Sequence, residues 1–273
     1  MIDYLLPAIE TLIWVSLFFG GLSLAWHRRA WLKVLRQGWA AGRVNLVYYF
    51  VDNWLILPVM GVLTAALLAG VTARDLFLVG QGWTADQPAW AVFLLALVVS
   101  DLVGYWRHRL LHWAPLWPIH AIHHSDPEVS YLTLFRFHPL NRLVTTVSSL
   151  LVLLVLGFPI WAIAGSNFAR SAYGYVVHAD LPWTFGPVFG RVIVSPVMHR
   201  WHHVREGTGI NTNFAAIFAF WDVLFGTYRC PRWDFPPLGV ADAALSAGWL
   251  GQQLYPFAVW WRRWRSRAEA ARA

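Results

Sequence analysis

His108-Arg109-Leu110-Leu111-His112, then seven residues, then His120-Ala121-Ile122-His123-His124, is the stretch on which the reading turns. A third cluster, His199-Arg200-Trp201-His202-His203, repeats the second almost letter for letter, and ten of the eleven histidines lie between His108 and His203. In a helix, residues i and i+4 share a face, as do i and i+3. His108/His112 therefore makes one pair, His120 with His123 or His124 a second set, and His199 with His202 or His203 a third. Adjacent histidines sit about 100° apart around a helix, so each His-His step can address two different ions. With His178 the total is nine imidazoles, too many for one ion and suited to two ions with four or five ligands each. Uncompensated imidazoles at this density would burden an apolar chain with unpaired polar groups, which argues against packing as their only role.

The rest of the chain is apolar. Of 273 residues, 58% are hydrophobic and 13% charged, where soluble domains carry about a quarter charged residues. The 19 Trp suit a membrane–water boundary. Net charge is +7, from 21 Lys+Arg against 14 Asp+Glu, and the surplus in loops and tail suits anionic lipid headgroups better than nucleic acid. Cys230, the single cysteine, excludes an intrachain disulfide and any thiolate cluster, leaving imidazole as the metal-binding group. The N-terminus has no basic region and no small-residue cleavage site, so the first apolar segment reads as a retained span.

About 20 helical residues cross a bilayer core. The pattern predicts an all-α integral membrane protein with about four transmembrane helices: spans over 4–26, 44–70 and 89–107, and a helical hairpin over 143–177 turning near Gly157-Phe158-Pro159. His27, Arg28, Arg29, Lys33, Arg36 and Arg43 read as a short basic loop marking the cytoplasmic side, with His27 solvated there and the N-terminus outside. A cytoplasmic histidine-rich helical lobe takes 108–142 and 178–259, with Ser195-Pro196 opening the helix of the third cluster. The tail, 260–273, mixes Trp and Arg and reads as an amphipathic interfacial helix. The whole is one membrane domain, 1–273. Asp52 and Asn53 are costly inside a span and predict either a contact between helices or one to the site. Asp101, Tyr105, His108 and His112 form one helical stripe. Asp101 there either orients a ligand ring through its second N–H or bridges helices.

At these residues the chain resembles the fatty acid hydroxylase / sterol desaturase superfamily of membrane di-iron enzymes, in its bacterial sterol-desaturase-like branch. The resemblance runs from about Asp101 to Tyr228. It rests on Asp101–His112, His120–Ser125 (HAIHHS), Arg136–Pro139 (RFHP), His178 in VVHAD, His199–His203 and Trp221-Asp222…Phe225-Gly226-Thr227. It implies His108, His112, His120, His123, His124, His178, His199, His202 and His203 as metal ligands. Behind them stand Asp101, Tyr105 and Asp222 to orient rings, and His138 in a supporting or structural role. It implies two Fe ions, O2 as co-substrate and electrons from a separate ferredoxin, cytochrome or reductase, since no segment is long and soluble enough for a fused redox domain. The substrate is a lipid drawn from the bilayer, hydroxylated or desaturated, and the setting is a bacterial inner membrane with the metal site facing the cytoplasm. Where the family often has an acidic residue after His-Pro, this chain has Asn141. Where the family commonly reads Asn-Tyr-Gly after the third cluster, this chain has Asn213-Phe214-Ala215, and Gly174 stands where some hydroxylases have another histidine. These departures bear on substrate choice more than on the metal site.

Two rival classes make opposite demands. A zinc-dependent lipid hydrolase needs a general-base carboxylate beside the metal, which the three clusters lack. A metal or haem transporter needs ligands strung through the depth of the membrane, whereas these gather at one side. The lipid itself, and hydroxylation as against desaturation, are not encoded in the spacing.

Overall fold

The computed structural model describes residues 2–28, 31–80, 82–231, 236–246 and 248–272. The described residues are helical apart from loops and one isolated bridge between Val204 and Leu238. In order the helices are α1 (Ile2–His27), α2 (Trp31–Val51), α3 (Leu57–Ala73), α4 (Ala89–Leu111), α5 (Trp117–His124), α6 (Pro139–Val155), α7 (Ile160–His178), α8 (Gly186–Phe189), α9 (Pro196–His202), α10 (Phe220–Leu224) and α11 (Trp249–Ala270). Among the described residues, three stretches are long and apolar enough to cross a membrane: Leu6–His27, Ala41–Ala73 and Ala89–Leu111. Their outward faces carry exposed Trp14, Leu17, Phe18, Leu55, Val62 and Trp90, and together these features mark a membrane protein.

The basic loop expected after the first span is helix from Trp31 onward. Lys, Arg, Gln, Leu and Ala are good helix formers, so charge alone does not end a helix. Arg29 lies outside the described residues, as do the side chains of Lys33 and Arg36. His27 is not simply solvated: its Nε2 meets Asp180 Oδ2 at 2.9 Å, and Arg200 holds the other oxygen of that carboxylate at 2.9 Å. α2 runs into α3 through a single π-helical turn, Asp52–Ile56. The apolar part of the pair, 41–73, is about 50 Å long at about 1.5 Å per residue, well beyond the ~30 Å hydrocarbon core. Asp52 makes the expected contact between helices, accepting from Arg142 Nε at 3.1 Å and Nη2 at 2.7 Å. Asn53 turns back on its own helix, donating to the Tyr49 carbonyl.

α4 is the central element, packed between α6 and α7. Val92, Ala96, Leu150, Leu153, Ala162 and Ile163 close this bundle with Val71 of α3. The hairpin arms are longer than expected because each begins at a proline-compatible start. His138 caps α6 ahead of Pro139, its ring accepting from Leu140 N–H, and Pro159 precedes α7. The turn needs Gly157: its φ is +75°, and a Cβ there would come within 2.6 Å of the Gly80 carbonyl oxygen.

α11 starts eleven residues before the expected tail, inside what read as the lobe. It buries Gln252, Tyr255 and Val259, and then Trp260 Nε1 and Arg263 Nη1 donate to the carbonyls of Pro115 and Ala114. The last helix therefore grips the short link between His112 and α5.

Candidate metal centre

Four elements bring the nine histidines together. α4 delivers His108 from its last turn, with His112 as its C-cap, and α5 carries His120, His123 and His124. α7 ends on His178, and α9 carries His199 and His202 with His203 as its C-cap. Ser195 fixes where α9 starts, its hydroxyl accepting from Met198 N–H at 3.1 Å.

The nine sort into two groups, and within each group one ligand atom per residue lies within 4.8 Å of all the others. His108, His112, His120, His124 and His202 form one group; His123, His178, His199 and His203 form the other. Each HxxHH helix is split between them. α5 gives its i, i+4 pair, His120 and His124, to the group of five and its remaining imidazole, His123, to the group of four. α9 does the reverse, giving His199 and His203 to the group of four and His202 to the group of five.

Ring orientation follows from the hydrogen bonds on the outer nitrogens. His108 Nδ1–H donates to the Phe214 carbonyl at 2.8 Å, His202 Nδ1–H to Thr212 at 2.7 Å and His178 Nδ1–H to Gly174 at 2.7 Å. A carbonyl oxygen only accepts, so these rings carry the proton on Nδ1 and turn a lone pair inward on Nε2. His120 and His112 make the same choice against side-chain oxygens, Asn141 Oδ1 at 3.0 Å and Asn211 Oδ1 at 3.1 Å. Inside, Nε2 of His178 lies 3.2 Å from Nε2 of His123 and 3.0 Å from that of His199, while His120 and His124 approach to 3.2 Å. The Nε2 atoms of His108, His112 and His202 are buried with no hydrogen-bond partner among the described residues. Lone pairs facing one another in a dry space repel. A cation placed among them turns that repulsion into coordination, so the donor set fits metal ions.

Burial also keeps the rings unprotonated. It lowers His112 to about 4. His120, His123, His124, His199, His202 and His203 lie well below the ordinary imidazole value, first through burial and then through neighbouring imidazoles. Neutral imidazole is the form that binds metal. No Asp, Glu or Cys joins either group among the described residues.

Asp101, Tyr105 and Asp222, expected to orient rings, hold the 214–227 segment instead. Asp101 does not touch a histidine: its two oxygens accept from Ile217 N–H at 3.1 Å and Phe218 N–H at 2.9 Å. Asp222 accepts from Phe214 N–H, Ala215 N–H and Thr227 Oγ1–H, so it steadies the peptide whose carbonyl holds His108 without reaching the ring. Burial pushes Asp222 up to about 6 against the pull of those donors. Tyr105 hydrogen-bonds Thr227 at 2.9 Å. Both carboxylates serve the peptide N–H groups of residues 214–218, which lie outside regular structure ahead of α10 and need acceptors. His138 stands apart from both groups, accepting at Nδ1 from Leu140 N–H and donating from Nε2 to Gln253. The residues that do hold rings, Asn141, Asn211 and three backbone carbonyls, leave little trace in sequence. The polar Asn141 soon after His138-Pro139 was the one available signal.

A cavity of about 330 Å³ reaches both groups, touching His108 and His120 of one and His123, His178 and His199 of the other. A second, also about 330 Å³, meets only His112, His124 and His202 and is rimmed by Arg205 and Arg263.

Residues 93–227 match the family model described as fatty acid hydroxylase. Among curated proteins, the chain is 29% identical over 177 residues to an ornithine lipid hydroxylase of Rhizobium tropici, covering 64% of this chain and 53% of that one. It is 26% identical over 185 residues to an alkylglycerol monooxygenase of Caenorhabditis elegans, covering 65% and 36%. To a very-long-chain aldehyde decarbonylase of Oryza sativa subsp. indica it is 28% identical over 203 residues, covering 67% and 30%. The chain thus spans about half or less of these relatives' lengths. No solved structure matches it.

Proposed function

This chain belongs to the fatty acid hydroxylase family, and from that premise we propose that it is a membrane-bound, O2-dependent oxidoreductase that hydroxylates or desaturates a lipid at a di-iron centre held by the nine histidines. The observation that carries the reading is the split of those histidines into groups of five and four with ligand atoms within 4.8 Å. Two irons so held would supply the redox chemistry by which dioxygen, with two electrons from a separate donor, attacks an unactivated C–H bond.

The chain's own residues do the rest. Nine neutral imidazoles present lone pairs, and the carbonyls of Phe214, Thr212 and Gly174 with Asn141 and Asn211 keep five of the rings aimed inward. An all-imidazole set would leave bound ions their full charge, since neither group includes a carboxylate to neutralise them. The cavity shared by both groups holds the C–H bond, and Leu111, Leu134, Phe137 and Val177 among its walls exclude water beside the histidines. The second cavity, with Arg205 and Arg263 at its rim, suits an acidic electron donor. Lys and Arg enrichment after α1 supports a cytoplasmic site and an N-terminus outside, in a bacterial inner membrane. The family relatives named as hydroxylases and monooxygenases support the reaction class.

A zinc hydrolase would need a carboxylate base at the metal, and neither group contains one. A transporter would need the sites spread along a path. Purified protein should contain close to two irons and lose metal on His123→Ala or His202→Ala. One tightly held zinc and no iron, in protein reconstituted under reducing conditions, would overturn the redox assignment.

A further inference from the structure

Besides the histidines, the shared cavity is lined by three arginines: Arg107 of α4, Arg142 of α6 and Arg170 of α7. Arg142 is matched by Asp52 in a two-pronged pair. Arg170 is only loosely matched. Its Nε lies 3.7 Å from Asp101 Oδ1, but both oxygens of Asp101 already accept from Ile217 and Phe218, and the buried Nε has no hydrogen-bond partner among the described residues. Arg107 has no carboxylate within salt-bridge distance among the described residues; its Nη1 donates to Ser149 Oγ at 2.9 Å and reaches Ser148 Oγ at 3.5 Å. Arg170 Nη1 also reaches Ser149 Oγ, at 3.4 Å. The two guanidiniums converge on Gly104, where an added Cβ would lie 2.5 Å from Arg170 Nη2 and 3.5 Å from Arg107 Nη2. Three cations thus face two carboxylates, and the excess charge sits where two guanidiniums crowd one serine.

Like charges held together away from water repel strongly, and a carboxylate or phosphate between them reverses the sign. Paired guanidiniums present flat forks of N–H donors that fit such oxyanions. Ser171, Thr145 and Thr146 also line the cavity with hydroxyls. The volume of about 330 Å³ is at the small end of ligand cavities, matched to a head group and its first carbons. We infer that this cavity takes a lipid with an anionic head group, a phosphate or carboxylate held between Arg107 and Arg170. This rests on the reading of the histidines as a lipid-oxidising centre and names the class of lipid it accepts.

The test is a tryptophan-fluorescence titration of the metal-loaded, full-length protein in a neutral detergent at 0.5 M salt, which screens the basic tail. The probes are dihexanoyl phosphatidic acid, dihexanoylglycerol and inorganic phosphate. The anionic lipid should bind about tenfold or more tightly than the neutral one, and inorganic phosphate should compete with it. Arg107→Gln should erase that preference, Arg107→Lys should keep part of it, and Arg265→Gln on the exposed tail should leave it intact. Equal affinity for the two lipids overturns the inference, as does a preference that survives Arg107→Gln. Phosphate binding without any lipid preference overturns it too, by showing a site for a free ion. If Arg107→Gln does not fold, the comparison of two lipids on the unmutated protein still decides. Binding needs no turnover, so protein that discriminates the lipids yet takes up no oxygen would sink the redox reading and leave this one standing.

Discussion

The two histidine groups use the same side chain in the same few turns of helix, yet they are held differently. In the group of five, four rings are fixed from outside by Phe214, Asn211, Asn141 and Thr212. In the group of four, only His178 has such a partner; the Nδ1 atoms of His123, His199 and His203 are buried with none among the described residues. There the rings are set by packing instead, as where His123 stacks on Phe137 at 4.5 Å and 13°. Hydrogen bonds thus shape one site and close packing the other, and substitutions should separate the two.

The largest effect is expected from ligand loss. His123→Ala cuts the group of four to three donors and should cost one metal equivalent and nearly all turnover. His112→Ala leaves the group of five with four donors and should retain more metal, as read by elemental analysis. Equal losses from both variants would break the distinction. Next in size is Asn141→Leu, which strips the acceptor from His120 in a buried setting. Removing such partners costs about 10–100-fold in metal affinity. The loss should be confined to one of the two ions, and Asn141→Asp should restore it. If Asn141→Leu weakens both ions equally in a competitive chelator titration, the groups are not independent.

Acid supplies a third probe. Burial disfavours imidazolium, so the folded state binds fewer protons than the unfolded chain below the ordinary value of 6.5. Stability must then rise with pH across that window and fall as pH drops from 6.5 towards about 4, the value reached by His112. Metal-free protein should show that fall in its melting temperature; a flat profile would mean that water reaches the rings. The smallest effect belongs to His138→Ala, which removes a helix cap for about 1 kcal/mol and leaves metal content unchanged. A loss of metal there would bring His138 into the site.

How much of this was legible in the sequence depends on the range of the interaction. The i, i+3 and i+4 spacings are local, so the three histidine clusters can be read directly; which of His123 and His124, or of His202 and His203, joins which group depends on how the helices pack and is not local. Ser195-Pro196 and His138-Pro139 mark helix starts for the same local reason. What took Asp101 to the 217–218 backbone was a partner 116 or 117 residues away, and no periodicity carries that. A basic run after His27 resembles a boundary, though Lys and Arg propagate helix well and the chain is helical again from Trp31. The first Trp-Arg cluster suggests a boundary at 260, whereas the helix runs from Trp249 and is tied down by Gln252 to the Leu245 carbonyl and by Tyr255 to Asp242.

The exchange between α5 and α9 has a consequence for how such a centre is built or altered. Each of these short helices supplies both histidine groups, so neither group has a scaffold of its own. Inserting or deleting one residue within either helix would rotate its later imidazoles by about 100° and send them to the wrong neighbour. The pair therefore changes as a unit, by substitution at fixed register, and a version of this protein keeping only one histidine group would need a new frame beneath it.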